Sequence, residues 1–449
     1  MKRRYTGIET VLWLVFACIV GIANAGLANG ASLSYEDARS VLHGVSDLQQ
    51  SAEAGVSRRD YEARAADSLG LPEVSVGATE IFGIKTGSLP TPLGIIDVNL
   101  NFRGPRSSIN STWSIYTGGR IEATQRALAA GTDQARAELT GTEEQLDLQL
   151  TQVYFGVELA ANVERTRTLQ LRDADDHLGR ALKFEQRGVI AKVERLNAQV
   201  ARDEAARELV RAKREREIAQ ARLQRLLRRD VQVEPSTPLF VITNELKPLS
   251  DWLSAAERQS PVLAAFDAKR EQAKQGIVIA ESRWKPEVFA FGTYSFMRNY
   301  QTIIEPNWIA GIGVRYTLFS REDRASKVSA AREELRQVQG LEAETRNDID
   351  SAVETAYRKV AQAREQFLLL DSSLVAAREN LRLRERGFEE GQATSLDVND
   401  ARNAVVRAET SRAQAAYEFV VALAQLLEAS GQAHALAEYI QVADVQLRL

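Results

Sequence analysis

The chain has 449 residues, with 57 lysines and arginines against 61 aspartates and glutamates and a formal net charge of −4. This balance excludes a generally basic nucleic-acid binder, because no excess of cations is available to neutralise phosphates. One cysteine and three histidines give no basis for Cys-ligated zinc, a disulfide framework or thiol catalysis. We therefore expect no metal centre and no cofactor.

The N-terminus has the pattern of an export signal. Basic residues occupy positions 2–4, an apolar run covers 11–22, and Ala-Asn-Ala follows at 23–25. This pattern predicts a signal peptide over 1–25. The alternative, a lipoprotein signal at Cys18, is disfavoured because the apolar run continues past the cysteine. No other stretch approaches the roughly 18 apolar residues of a membrane helix, so any membrane crossing must use strands.

An internal repeat organises the rest of the chain. Pro72-Glu73-Val74 recurs as Pro286-Glu287-Val288, and an offset of 203 residues carries Tyr154 to Tyr357 and Gly188 to Gly391. Duplication at one offset predicts two similar structural units, over 26–230 and 250–431, with a linker at 231–249 and a tail at 432–449. The first copy carries 11 extra residues after the Pro-Glu-Val segment, which we expect in a loop.

Long segments without proline carry apolar residues at helical spacing. The stripe in the second copy comprises Ile349, Val353, Tyr357, Val360, Phe367, Leu370, Leu374 and Leu381. We predict helices at about 36–70, 120–187 and 192–228 in the first copy, and at about 250–284, 321–388 and 393–430 in the second. Each long helix would form a rod of about 100 Å. Paired short helices could run beside it, as in a bundle or a helical barrel.

Strands are predicted between the helices at about 72–84, 107–117, 286–299 and 307–319, where residues alternate at period two. We expect four aromatic residues to face lipid or its interface: Trp113, Trp308, Tyr316 and Phe319. The alternative is a small soluble sheet that caps the helices. Four strands cannot close a membrane barrel, since about eight is the minimum. If these strands span a bilayer, several chains must share one barrel.

These landmarks, in this order and duplicated, resemble the TolC-like outer-membrane efflux proteins of Gram-negative bacteria. The resemblance is carried by the two Pro-Glu-Val segments, Tyr116-Thr117-Gly118-Gly119 and the turns at 188–198 and 391–401. It implies a mainly α fold with β strands, assembled as a homotrimer. The trimer would combine a 12-stranded outer-membrane β-barrel with a long periplasmic α-helical barrel.

The same resemblance implies a function and partners. The trimer would be a passive exit duct in the outer membrane, extending into the periplasm. An inner-membrane transporter would supply the energy, and a periplasmic adaptor would bridge the two. The adaptor would dock on the tip turns, at Gly188, Val189, Ile190, Gly391 and Thr394.

The resemblance also implies a narrow periplasmic entrance. It would be formed by Asp397 and Asp400, together with Glu194 and Phe388. The family's best-known member locks its entrance with an arginine, but Ala393 occupies that position here, so this lock is not carried over.

The two aspartates also support an entrance by their spacing, because positions i and i+3 share one helix face. Three chains would then place six carboxylates in one ring that attracts cations and whose crowding raises each carboxyl pKa. The alternative is that they only favour the N-terminal end of the helix dipole.

Other chemistry has weaker support. The acidic run Asp173-Ala174-Asp175-Asp176-His177 resembles a metal cluster in composition, but we expect a solvent-facing helix surface there. No convergent set of catalytic residues is present, so we expect no enzyme. The alternative function is a periplasmic coiled-coil structural or adaptor protein without its own membrane barrel. The cargo, whether drug, metal ion or protein, is left open.

Overall fold

The computed structural model describes residues 32–298 and 306–447. The predicted signal peptide 1–25, including Cys18, lies outside the described residues, as do the end of the predicted strand 286–299 and the last two residues of the tail. The chain divides into two compact units. We call Met1–Ser51, Leu139–Pro261 and Thr345–Leu449 the helical unit, and Ala52–Glu138 and Val262–Glu344 the sheet unit. Each sequence repeat contributes residues to both units.

The helices follow the predicted segments with shifted ends. They are α1 (Tyr35–Val45), α2 (Asp47–Asp67), α3 (Arg120–Gln186), α4 (Lys192–Leu226), α5 (Leu249–Gln259), α6 (Pro261–Ser282), α7 (Arg324–Glu389), α8 (Ser395–Ala429) and α9 (Leu436–Gln441). Long helices form here because their apolar stripes are buried: Val353, Val360 and Phe367 of α7 have almost no exposed surface. Short 3₁₀ turns cover Ser68–Gly70 and Ala433–Ala435.

Two predicted helices are each divided in two, which corrects the single helices expected at 36–70 and 250–284. Ser46 has extended backbone angles between α1 and α2. Ser260 is extended before α6, because the residue before a proline is disfavoured in the helical region. Pro261 then opens α6, a position where its missing N–H costs nothing.

The sheet unit contains an antiparallel sheet. Its strands are β2 (Glu73–Thr91), β3 (Gly94–Tyr116), β6 (Glu287–Arg298) and β7 (Trp308–Arg315), and they lie in the order β2-β3-β6-β7. The expected loop between β2 and β3 is wrong: the extra residues extend both strands as far as the pair Thr91↔Gly94. A connection of only two residues is possible because Gly94 takes a φ of +129°, which glycine allows. β7 ends four residues earlier than predicted.

One face of this sheet is apolar. Val314 pairs with Val288 and Ile312 with Ala290, and Ala290 pairs in turn with Trp113. Ile312 and Val314 are 73% and 70% exposed in the single chain. The opposite face carries Phe289, whose ring lies so close to Gly313 that a Cβ there would come within 2.6 Å of it.

The helical unit has its core where aromatic rings meet. Tyr35, Tyr154, Phe155, Phe240 and Phe419 form a chain of ring contacts with centroid distances of 5.2–6.4 Å. The Tyr154 hydroxyl donates to the Leu33 carbonyl (2.7 Å) and accepts the backbone N–H groups of residues 236 and 237. These bonds fix the chain near the predicted linker against α3.

The predicted linker and tail are partly ordered as strands. β4 (Glu234–Pro235) pairs with β1 (Ser32–Leu33), and β5 (Leu239–Val241) pairs with β8 (Val445–Leu447). These pairs tie both segments to the helical unit.

Candidate functional site at the two helix turns

Each long helix of the helical unit ends at a glycine turn. Gly188 and Gly391 have φ values of +71° and +73°, in the left-handed region that favours glycine. The Val189 N–H bonds to the Phe184 carbonyl at 2.9 Å, and the Gln392 N–H bonds to the Gly387 carbonyl at 2.7 Å. No heavy atom lies within 4 Å of a Cβ added at either glycine. The turns therefore need glycine for their backbone shape and are open to a partner.

The second turn leads into a capped helix. The Thr394 hydroxyl accepts the Asp397 N–H, and the Asp397 carboxylate accepts the Thr394 N–H at 2.9 Å. This reciprocal capping box satisfies two backbone donors at the start of α8. Predicted site residues Thr394 and Asp397 thus have a local structural role.

A hydrogen bond joins the two turns. The Ser395 N–H donates to Glu194 Oε2 at 2.7 Å, and Ser395 itself is fully buried. Glu194 lies in the first turn of α4, so its carboxylate links the first repeat to the second at the N-terminus of α8. Negative charge is favoured at both positions by the helix dipoles.

Phe388 is the centre of a buried cluster behind this link. Its ring lies 4.7 Å from the His177 ring and 5.9 Å from the Phe184 ring. Ala181, Ala198 and Val398 complete the buried part of the cluster, with Ile190 and Ala393 packed at its edge. Of the predicted residues, Glu194, Phe388, Ile190 and Thr394 are thus brought together.

The three aspartates of the acidic run 173–177 are exposed, as expected. His177 departs from that expectation, because it is only 1% exposed. Its Nε2 is hydrogen-bonded to the Ser395 hydroxyl at 3.2 Å, while Nδ1 has no partner among the described residues. Burial, together with the nearby Arg402 and Arg180, lowers the His177 pKa to about 4. His177 is therefore neutral at pH 7.

Arg402 lies next to this cluster, and its side chain is only 4% exposed. Its Nη2 donates to Glu385 at 2.9 Å; burial lowers its pKa, although Glu385 acts in the opposite direction. Burial also raises the pKa of Asp173. Arg402 is thus a buried cation whose ion-pair partner among the described residues is Glu385.

The two predicted entrance aspartates differ in their surroundings. The Oδ1 atom of Asp397 lies 3.3 Å from Nη1 of Arg384. The hydrogen bonds that the Asp397 carboxylate accepts from Thr394, together with the nearby charge of Arg384, lower the Asp397 pKa. In the single chain this is opposite to the raised pKa expected for a crowded ring. Asp400 is exposed. An arginine is therefore present at the tip, but it comes from α7 and pairs with Asp397.

The remaining predicted site residues lie at the turn or in the sheet unit. Val189 is exposed beside Gly188. Trp113 and Trp308 belong to the sheet, and the Trp113 indole N–H donates to the Gly70 carbonyl at 2.8 Å. Tyr316 and Phe319 follow the end of β7 and are exposed.

Sequence reasoning missed His177, Ser395, Arg384 and Arg402. A signal for His177 existed: Ala174, His177 and Ala181 follow each other at spacings of three and four on the buried stripe. Arg384 and Arg402 gave no such signal, because only tertiary contacts distinguish them from other arginines of these helices.

Within the part of the chain that the structure describes, no group of three or more His, Cys, Asp or Glu side chains is placed to hold a metal ion. None of the helices in the described ranges combines the length and apolar character needed to cross a membrane.

Comparison with solved structures defines the class of protein. Vibrio cholerae outer membrane protein VceC has a TM-score of 0.74 at 14% identity, over 89% of this chain and 96% of that chain. The Campylobacter jejuni CmeC outer membrane channel has a TM-score of 0.71 at 14% identity, over 98% and 96%. The open state of the Neisseria gonorrhoeae MtrE outer membrane channel has a TM-score of 0.71 at 17% identity, over 89% of each chain. The fold is that of outer-membrane channels.

A family model described as outer membrane efflux protein matches residues 41–228 and 252–432. The chain therefore belongs to the outer membrane efflux protein family, which confirms the TolC-like resemblance. It is an outer-membrane protein that extends into the periplasm and acts as an exit duct for efflux. The family and these structures are channels rather than enzymes. The search of curated proteins found no match.

Proposed function

We propose that three copies of this chain form one duct, which receives substrates through a periplasmic adaptor from an inner-membrane transporter. The sheet would supply four strands per chain to a shared 12-stranded barrel, and α3, α4, α7 and α8 would supply the helical barrel. The duct would be passive. Family membership supports this arrangement, and the residues of this chain support it in two further ways.

The observation that carries the proposal is the incomplete sheet. The strand order leaves β2 and β7 at its two edges, and its apolar face, with Ile312 and Val314, is exposed. Unpaired edges and an exposed apolar face are both unfavourable in water. A closed barrel in lipid removes both costs, and closure requires more than the four strands that this sheet contains in the described residues. Three copies are the number that the family resemblance implies.

The glycine turns are the proposed adaptor-docking surface. Gly188, Val189 and Gly391 offer an open, partly apolar surface. Ile190, which packs against the Phe388 cluster, and the exposed Thr394 would complete it. Asp397 and Asp400, with Glu194 and Phe388, would form the entrance. Asp400 would supply the freer carboxylate of the ring, because Asp397 is already paired with Arg384.

Assembly and location can be tested together. Membranes from cells expressing the protein are fractionated, and the outer-membrane fraction is run on gels with and without heating. We expect a species of three chains that converts to a single chain on heating. Recovery of a soluble periplasmic monomer would instead support the alternative of a structural or adaptor protein, which the family match disfavours.

A further inference from the structure

A polar pocket lies where the sheet meets the helices of the sheet unit. Its volume is about 180 Å³. Residues from three places line it: the start of α3, the segment between α6 and β6, and the segment from the end of β7 to the start of α7. The charged residues among them are Arg120, Arg283, Lys285, Glu287, Arg315 and Arg324.

These six charged groups leave the pocket with an excess of positive charge. Arg120 pairs with Glu287 at 3.2 Å, and Arg283 pairs with Glu322. Lys285 donates to the Gly118 carbonyl at 3.1 Å, a neutral partner. These two ion pairs involve Arg120 and Arg283. The other three cations of the lining have no carboxylate partner among the described residues: Lys285, Arg315 and Arg324.

Arg315 and Arg324, the two arginines of the lining that are not in an ion pair among the described residues, are held in place by contacts with uncharged groups. Arg324 is buried, donates to the Thr317 carbonyl and lies over the Trp284 ring at 5.3 Å. The Arg315 guanidinium lies 4.9 Å from the centre of the Phe289 ring. Such contacts orient a guanidinium while leaving donors at its edge.

The pocket opens on the side of the sheet opposite the apolar face. In the register of β6 and β7, Arg315 lies opposite Glu287 and Gly313 lies opposite Phe289. Arg315 and Gly313 alternate along β7 with the apolar Ile312 and Val314. Alternate residues of a strand point to opposite faces. If the apolar face contacts lipid, as in the proposed duct, Arg315 faces the interior of that duct.

We propose that this pocket binds a small oxyanion, a phosphate or carboxylate group, present in solution inside the duct. This inference rests on the proposed trimer for its location, but the binding itself is a property of one chain. Guanidinium donors suit such groups because their N–H directions match two oxygens. Three copies would make a basic ring at the junction, opposite in sign to the acidic entrance.

The test uses inorganic phosphate and the purified full-length protein. Phosphate binding is measured by calorimetry at low salt, and the same preparation is studied in planar bilayers. We expect Arg315→Gln and Lys285→Gln each to weaken phosphate binding by about tenfold and to shift channel selectivity towards cations. Arg332→Gln is the matched control: it removes one positive charge that pairs with Glu281 at 3.0 Å, and Arg332 does not line the pocket.

The outcomes separate this site from the proposed duct. Equal phosphate binding by the wild type, Arg315→Gln and Lys285→Gln would overturn the site, even if channels form. Phosphate binding that depends on Arg315, in a protein that never conducts, would support the site and overturn the duct. Binding of a short-chain anionic phospholipid that depends on Arg315 and that phosphate does not displace would assign the pocket to a lipid headgroup and overturn its place in the duct.

Discussion

His177 is held neutral at the tip by its surroundings. It is buried between Phe388 and Ser395, and two arginines, Arg180 and Arg402, lie near its ring. A proton on the imidazole would be a buried charge beside other cations. Ser395 links His177 to the other repeat, because its N–H donates to Glu194. The contacts of Ser395 with His177 and Glu194 thus suit a neutral imidazole at the tip.

Acidification is expected to loosen this tip. The folded pKa of about 4 lies below the ordinary value of about 6.5. The stability that depends on neutral His177 is therefore complete above pH 6.5 and is lost as the pH falls towards 4. The loss amounts to at most about 3.4 kcal/mol per chain. The protection factors of the amides at 395–398, which correct for the intrinsic pH dependence of hydrogen exchange, should fall over this range.

His177→Phe is the matched variant for this prediction. It keeps a ring against Phe388 and cannot take up a proton. Its amide protection factors at the tip should change much less between pH 6.5 and 4.5 than those of the wild type. The same pH dependence in both proteins would show that another group controls the tip.

The two aspartates of the entrance should not be equivalent. Asp397 is occupied by the capping box and by Arg384, whereas Asp400 is exposed. We expect Asp400→Ala to relieve block by a trivalent cation more than Asp397→Ala does. Single-channel conductance at low salt measures the block, which mobile ions screen. A larger effect of Asp397→Ala would show that the Arg384 pair is broken in the assembled protein.

At the scale of elements, the repeat and the apolar stripes were sufficient to predict the long helices. The periodicity could not show the break at Ser46, which occurs within a continuous helical pattern. The break at Ser260 did have a signal in the sequence, the proline at 261 that follows it, and the prediction of a single helix overlooked it. The pattern also missed the long first hairpin, where the extra residues looked like a loop. Of the site, Gly188 and Gly391 were predictable from turn chemistry. The His177–Ser395 contact was not, because its partners are 218 residues apart.

Substitutions at the first glycine turn can show whether Gly188 is needed for folding or for docking of the adaptor. Gly188 needs a positive φ, which costs most side chains about 1 kcal/mol or more, while the space around it is open. Asparagine tolerates this conformation better than other residues. We expect Gly188→Trp to abolish export with the trimer intact, and Gly188→Asn to retain more export. Loss of the trimer in both variants would make the turn a folding element and leave docking unsupported.

The assignment of the apolar face of the sheet to lipid can be tested on strand β7. Ile312 lies on the apolar face of β7 and Ile309 on the opposite face. Ile312→Arg should cost about 2–4 kcal/mol per chain if the site is near the bilayer midplane and should reduce outer-membrane insertion. Ile309→Arg, the matched control, should insert more efficiently. Equal trimer yields on unheated gels would contradict the assignment of faces.

At the scale of the whole molecule, each unit has a feature that one chain does not complete. The sheet unit has two free edges and an exposed apolar face. The helical unit has open glycine turns and an acidic tip residue, Asp400. In the proposed trimer and its complex with an adaptor, each of these features would gain a partner.

The most direct test is the conductance of the purified outer-membrane complex in planar bilayers, with a trivalent cation added to one side at a time. We expect discrete channels, and we expect the cation to block them at a lower concentration from the side of the helix turns than from the other side. In the Asp397→Ala, Asp400→Ala double variant, channels should persist and this block should be relieved. Absence of channels in the wild type, or an unchanged block in the double variant, would contradict a duct whose entrance lies at these turns.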